Sequence, residues 1–304
     1  MHQQANISHL QSISQLARLL ELPAPLHPLI TLVDYNNISI ERFPKGQKVS
    51  LDFYKISFKP TFKGHIKYGQ GYYDFEEGGL AFLKPNQVVF SPEEKESYEG
   101  IALYFHPDFI RNYPLASTIN HYGFFAYDVS EALFLSAKEK EIISGLFTSI
   151  AGELANNIDL FSQDVLVSQI ELLLNYSNRF YNRQFITRKA VNHEIITALE
   201  ELLNDYFEGE KGLKTGLPSV KYISEELKLS QRYLSDMLSS LTGKNTQQYI
   251  QNAIIEKAKE KLSTTTLSVS QIAYQLGFEH SQSLSKLFKS KTSLSPLEFR
   301  HSFN

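Results

Sequence analysis

The chain has 304 residues, enough for two domains with separate cores. Its 42% hydrophobic and 21% charged content is that of an ordinary globular protein, and its formal charge is only −3. It has no cysteine, which excludes disulfides, thiol nucleophiles and cysteine-ligated zinc.

The first residues, M-H-Q-Q-A-N-I-S-H-L, lack a basic segment followed by an apolar core, and no apolar run reaches the length of a membrane span. The expectation is a cytoplasmic protein with no membrane partner. From Ile7 to Leu22, the spacing of Leu10, Ile13, Leu16, Leu19 and Leu20 predicts a short amphipathic helix. Pro23, Pro25 and Pro28 then stop it and stiffen the chain.

Between Leu29 and His106 the pattern becomes that of strands. L-I-T-L-V-D-Y, S-L-D-F-Y-K-I-S-F, G-L-A-F-L, N-Q-V-V-F and G-I-A-L-Y-F are short and rich in β-branched and aromatic residues. Pro44-Lys45-Gly46, Lys63-Gly64, Gly69-Gln70-Gly71, Gly78-Gly79 and Lys84-Pro85-Asn86 separate them as turns. That rhythm predicts a sandwich or a small jelly-roll barrel.

An aromatic, irregular stretch from His106 to Asp128 precedes two long helices. Ser136 to Asn157 carries Ile142, Ile143, Leu146, Phe147, Ile150 and Leu154 on one stripe. Leu160 to Phe185 carries Val165, Leu166, Ile170, Leu173, Leu174 and Phe180, with Asp159 as its cap. So much apolar helix surface needs a partner: the barrel, the other helix or a second subunit. The polar, basic run from Arg183 to Asn192 is where a linker is expected. A helix over Val191 to Glu208 and a glycine-rich loop to Pro218 follow.

The last third holds a repeat. From Ser268 a capping box with Gln271 opens a helix bearing Ile272, Ala273 and Leu276 on one face. Gly277 ends it, and a second helix from Ser281 turns Leu284, Leu287 and Phe288 inward. Upstream, Ile223, Leu227 and Leu229 match Ile272, Leu276 and Phe278 at an offset of 49. Past the turn, Leu234, Ser235, Leu238 and Tyr249 match Leu284, Ser285, Phe288 and Phe299 at an offset of 50. Two copies of a helix, a tight turn and a second helix are the pattern of two helix-turn-helix units in one all-α domain. Thr246 to Leu262 is the spacer helix; about 17 residues at 1.5 Å each span roughly 25 Å. Residues 215–304 hold 11 Lys/Arg against 7 Asp/Glu, a net +4, while the remaining 19 and 26 give −7. That polarity suits a chain with one end facing phosphate.

In these motifs the chain resembles the AraC/XylS family of bacterial transcription regulators. The resemblance rests on I-A-Y-Q-L-G-F, L-F-K and S-P-L-E-F-R, and upstream on L-S-Q-R-Y-L-S, L-T-G-K and A-K-E-K-L. It covers roughly Val191 to Phe303. The departures are Lys228 where the second turn has Gly277, Ser293 where the family usually has glycine, and Gln282-Ser283-Leu284 for the commoner Ser-Tyr-Phe. The strand rhythm with G-G-L-A-F-L-K-P-N-Q is similar to the cupin-like sensor domain many members carry. The resemblance thus implies an α+β multidomain protein: an N-terminal cupin-like β-barrel with flanking helices and a C-terminal all-α domain with two helix-turn-helix units. The expected divisions are 1–135 for the sensor, 136–185 for a helical pair that dimerises, 186–192 for the linker and 193–304 for the DNA-binding domain. Double-stranded DNA, RNA polymerase, a second copy of the chain and a small-molecule effector are the implied partners.

The outward residues of the recognition helices are the expected DNA contacts: Gln231, Arg232, Ser235 and Asp236 in the first unit, Gln282, Ser283, Lys286 and Lys289 in the second. Arg232 and Lys286 suit guanine, Gln282 suits adenine, and Lys289 suits a phosphate. Asp236 accepts from a cytosine amino group or orients Arg232, since phosphate repels it. In the barrel, Tyr54, Phe58, His65, Tyr68, Phe82 and Phe90 are the expected ligand-binding set. An enzyme is not expected. His65 stands without a His-x-His partner, His27, His106 and His121 are isolated, Gly69-x-Gly71 is too short to cradle a phosphate, and no cofactor motif appears.

Overall fold

A computed structural model describes the chain except for residues 1–6, 36–37, 39–47, 61–64, 69–70, 75–77, 91–99, 129–130, 157–158, 210 and 303–304. The chain divides into two units, Met1–Gln184 and Phe185–Asn304. The turns expected at Pro44-Lys45-Gly46, Lys63-Gly64 and Gly69-Gln70 lie outside the described residues. Among the described residues no helix is long and apolar enough to cross a membrane.

In the first unit, the stretch expected as one helix is a strand followed by a helix, β1 (Ile7–Leu10) and α1 (Ile13–Leu19). Ser12 decides the break. Its hydroxyl accepts the Gln15 N–H at 3.2 Å, and Gln15 Oε1 accepts the Gln11 N–H at 2.7 Å. This reciprocal cap starts the helix at Ile13 and leaves Leu10 on an extended chain. The run Ser50–Phe58 also splits, into β3 (Lys48–Leu51) and β4 (Tyr54–Lys59), because the chain changes sheets between them.

The other strands are β2 (Ile30–Asp34), β5 (His65–Tyr68), β6 (Gly71–Asp74), β7 (Gly79–Leu83), β8 (Val88–Phe90), β9 (Ile101–Phe105) and β10 (Leu133–Phe134). Short helices α2 (Pro107–Ile110) and α3 (Leu115–Thr118) precede β10. The described strands form a five-stranded sheet in the order β10-β7-β4-β9-β2, a three-stranded sheet β1-β3-β8 and a hairpin β5-β6. Every pair in the five-stranded sheet is antiparallel, whereas β1 runs parallel to β3. Among the described residues β10 and β2 are open edges. Among the described residues the N-terminal unit is a layered sheet structure, and the expected cupin-like barrel is not confirmed.

Both faces of the large sheet are covered. On one side Tyr104 and Ala102 join Ile13, Leu16, Val33, Val49, Leu51 and Phe53 in a buried cluster under α1. On the other lie α4 (Ala137–Ala155) and α5 (Ser162–Thr187). Phe58 stacks on Phe147 of α4, and Phe82 meets Tyr181 of α5. Strand alternation makes this possible, since Tyr54, Ile56 and Phe58 point to one face of β4. Each buried aromatic contributes about 1.5–3 kcal/mol. Ser136 and Glu139 form the capping box of α4, and Arg183 of α5 donates to Glu139 at 2.6 Å, tying the pair together. Asp159 caps α5 by accepting the N–H groups of Phe161 and Ser162 at 2.8 and 2.9 Å. Those bonds, the Phe161 one foremost, hold its carboxyl below the usual range.

The second unit is all helix: α6 (Lys189–Glu208), α7 (Lys211–Thr215), α8 (Val220–Leu227), α9 (Gln231–Thr242), α10 (Thr246–Thr264), α11 (Val269–Gln275), α12 (Ser281–Thr292) and α13 (Pro296–His301). Two sequence expectations differ. Residues 186–192, read as a linker, are helical except at Arg188, between the end of α5 and the start of α6. The glycine-rich loop before Pro218 contains α7, whose Gly212 is buried because its backbone runs against the Gln275 carbonyl.

Candidate nucleic-acid interface

The repeat seen in the sequence is reproduced hydrogen bond by hydrogen bond. Ser219 accepts the Tyr222 N–H at 3.1 Å to open α8, and Ser268 accepts the Gln271 N–H at 3.2 Å to open α11. Each helix then closes in the same left-handed turn. Leu229 N–H reaches Ser224 O at 3.0 Å and Phe278 N–H reaches Ala273 O at 2.9 Å, again 49 residues apart. Lys228 (φ 55°) and Gly277 (φ 93°) occupy the left-handed position. The extra residue of the second turn falls between Phe278 and Ser281, and it brings a different cap. Ser230 caps α9 through the Tyr233 N–H at 3.2 Å, whereas His280 makes no side-chain cap on α12.

The recognition helices end alike too. Thr242 Oγ1 donates to Leu238 O and Thr292 Oγ1 to Phe288 O, both at 2.8 Å. Gly243 (φ 72°) and Ser293 (φ 65°) take the left-handed C-cap. Asn245 with Gln248, and Ser295 with Glu298, form capping boxes that open α10 and α13.

Inward, α9 buries Tyr233, Leu234, Met237 and Leu238, and α12 buries Leu284 and Phe288. The helix period then sends the residues between them outward. Gln231, Arg232, Gln282, Ser283, Lys286 and Lys289 are exposed, and Ser235 and Asp236 are half-buried. Arg232 Nε donates to Asp236 Oδ2 at 2.9 Å. The two outer faces differ in charge. Across α9 there is one Arg and one Asp, and across α12 three Lys and no acid.

The scaffold behind these faces is built on the spacer helix α10. Ile250, Ile254, Ile255, Ala258 and Leu262 bury one side of α10. Tyr249 donates to Glu200 of α6 at 2.9 Å, and Lys257 pairs with Glu208 at 3.3 Å. Burial first, and the Glu200 bond second, push the Tyr249 hydroxyl up to about 12. Arg300 Nε donates to Leu262 O at 3.1 Å, in the last turn of α10, and Nη2 to Leu267 O at 2.7 Å, in the connection to α11. Neither Arg300 on Leu262, 38 residues away, nor Gly277 on Gly216 had a local signal in the sequence.

In the N-terminal unit, three of the six expected ligand residues have described side chains. Tyr54 stacks on Phe105 and meets Phe125 edge-on, Phe58 stacks on Phe147, and Phe82 packs against Phe124 and Phe125. All three are buried. The side chains of His65, Tyr68 and Phe90 lie outside the described set.

Residues 223–302 match a family model described as a helix-turn-helix domain. The HTH-type transcriptional activator RhaS of Escherichia coli O139:H28 is 30% identical over 139 residues, which is 46% of this chain and 45% of that protein. Histidine kinase P4 of Formosa agariphila is 22% identical over 143 residues, 47% of this chain and 10% of that protein. Of solved structures, the C-terminal domain of the response regulator yesN from Fusobacterium nucleatum is 33% identical, with a TM-score of 0.28 over 33% of this chain and 95% of that one. The chain spans less than half the length of either curated relative. Through the duplicated helix-turn-helix units of its C-terminal region, the chain is similar to AraC-type transcription regulators.

Proposed function

We propose that this protein is a sequence-specific DNA-binding transcription regulator that reads two sites through α9 and α12. The observation that carries this reading is the paired outer face. Each recognition helix buries one apolar side and leaves Arg232 or Gln282, and Asp236 or Lys286, at equivalent outward positions. An α-helix with such a face fits the major groove, and α10, 19 residues and so about 28 Å long, separates the units by close to a DNA turn. Gln231, Arg232, Ser235, Gln282, Ser283 and Lys286 are the proposed base-facing residues, with Lys289 on phosphate and Asp236 beside Arg232 on the same face. Selection of bound duplexes from a random pool, followed by gel-shift titration, tests this; no enriched sequence would overturn it.

The protein works as a homodimer in this reading, with α5 as the contact. In support, Phe161, Val165 and Leu172 leave apolar surface exposed at and along α5. RNA polymerase is the further partner that the family implies. An effector bound by the N-terminal unit would regulate DNA binding only if its affinity differs between two arrangements. A ligand-independent regulator is the second reading, and the burial of Tyr54, Phe58 and Phe82 among other rings favours it. Melting of the full chain with and without candidate metabolites separates the two.

A further inference from the structure

We infer that Asp236 is a positioning residue that makes the first helix-turn-helix unit selective for guanine by holding the guanidinium of Arg232. The inference rests on the DNA-binding reading above and adds to it which base pair is chosen and how.

Asp236 is an odd residue to find on a face that meets phosphate, because its charge opposes DNA binding of any sequence. Helix stability does not account for it. The two side chains are 51% and 28% exposed, and an ion pair so placed contributes little. The acid also stands four residues after the base, the weaker order on a helix. At the equivalent positions, 50 residues on, the second unit has Gln282 and Lys286, so nothing in the repeat demands an acid there.

What the pair does supply is orientation. Asp236 Oδ2 takes the Nε donor at the side of the guanidinium, at 2.9 Å. The two terminal nitrogens are then the outward fork, and a planar fork of two donors matches the N7 and O6 acceptors of guanine. A long side chain already held in one pose also loses less freedom on binding. The units thus differ in charge. The three lysines of α12 give it the stronger pull on the duplex, while the α9 pair carries no net charge.

The test starts with full-length protein and a random duplex pool, which gives the preferred site. Arg232→Ala marks the base pair read by the first unit as the position where preference for guanine is lost. Titrations against all four bases at that position then compare wild type, Asp236→Ala, Asp236→Asn and the double variant Arg232→Ala/Asp236→Ala. Asp236→Ala is expected to cut guanine preference there by roughly tenfold while tightening binding to random duplex. Asp236→Asn, which keeps the acceptor, retains most of the preference. The double variant discriminates no worse than Arg232→Ala alone. Melting temperatures stay unchanged, which separates positioning from a folding role. Unaltered guanine preference in Asp236→Ala, or a change at a different base pair because Asp236 touches a base itself, overturns the inference. A pool with no enriched sequence instead removes the DNA-binding reading and this inference with it.

Discussion

Arg232 and Asp236 sit one helical turn apart on α9, and the arginine Nε donates to the carboxylate at 2.9 Å. The same two positions in α12 are Gln282 and Lys286. One structural frame therefore presents two chemically different outer faces.

If both faces read DNA as proposed, removal of either is expected to weaken binding to the selected site. Arg232→Ala and Lys286→Ala should each cost about 1–3 kcal/mol, read by gel-shift titration at fixed salt. Lys289→Ala should lower affinity evenly across sequences and reduce the slope of log affinity against log salt by about 1. If Arg232→Ala and Lys286→Ala both bind as wild type does, the outer faces of α9 and α12 are not the reading surface.

Arg300 closes the spacer helix from 38 residues away by donating to Leu262 O. Arg300→Ala strips charge-assisted bonds from one carbonyl in the last turn of α10 and one in the connection to α11, and should destabilise the C-terminal unit by about 1.5–3 kcal/mol. Denaturant unfolding followed by circular dichroism measures this. An unchanged midpoint would mean that water satisfies those carbonyls equally well.

Two left-handed turns that look alike in sequence should respond in opposite ways. A Cβ on Gly277 would stand 2.4 Å from the Gly216 carbonyl oxygen, at φ 93°. Gly277→Ala should therefore destabilise by about 2–5 kcal/mol. Lys228, exposed at φ 55°, holds the same turn with a side chain. Lys228→Gly relieves that strain and should stabilise by about 0.5–1 kcal/mol once the extra freedom of the unfolded glycine is subtracted. Thermal melts of the two variants should move in opposite directions.

Tyr249 carries an alkaline signature. Its folded pKa is raised from 10.0 to about 12, so the folded state holds the phenolic proton more tightly than the unfolded state does. The contribution is fully present below pH 10 and is lost as pH climbs from 10 toward 12. Tyr249→Phe should flatten the fall in stability over that window while leaving the neutral-pH fold intact. Equal steepness in the two proteins would place the alkaline transition elsewhere.

The helix-turn-helix repeat could be read directly from the residues, because what specifies it is local. Caps such as Ser268 with Gln271 act across three residues, and the stripe of Ile272, Ala273 and Leu276 follows from the helical period alone. The same local rule, applied to Ser12 and Gln15, separates β1 from α1. The side-chain pair Arg232–Asp236 was also within reach, since it spans a single turn.

The rest needed the folded chain, for the physical reason that it depends on surfaces distant in sequence. Apolar alternation marks a strand but does not choose its neighbour. Hence the crossing from one sheet to another between Leu51 and Tyr54, and the open five-stranded arrangement where a barrel was expected, come from packing. Burial of Phe58 against Phe147 and Tyr54 against Phe105 likewise reflects which faces meet, not the residue types themselves. Gly277 against Gly216 and Arg300 on Leu262 belong to the same class: contacts that no window of the sequence contains.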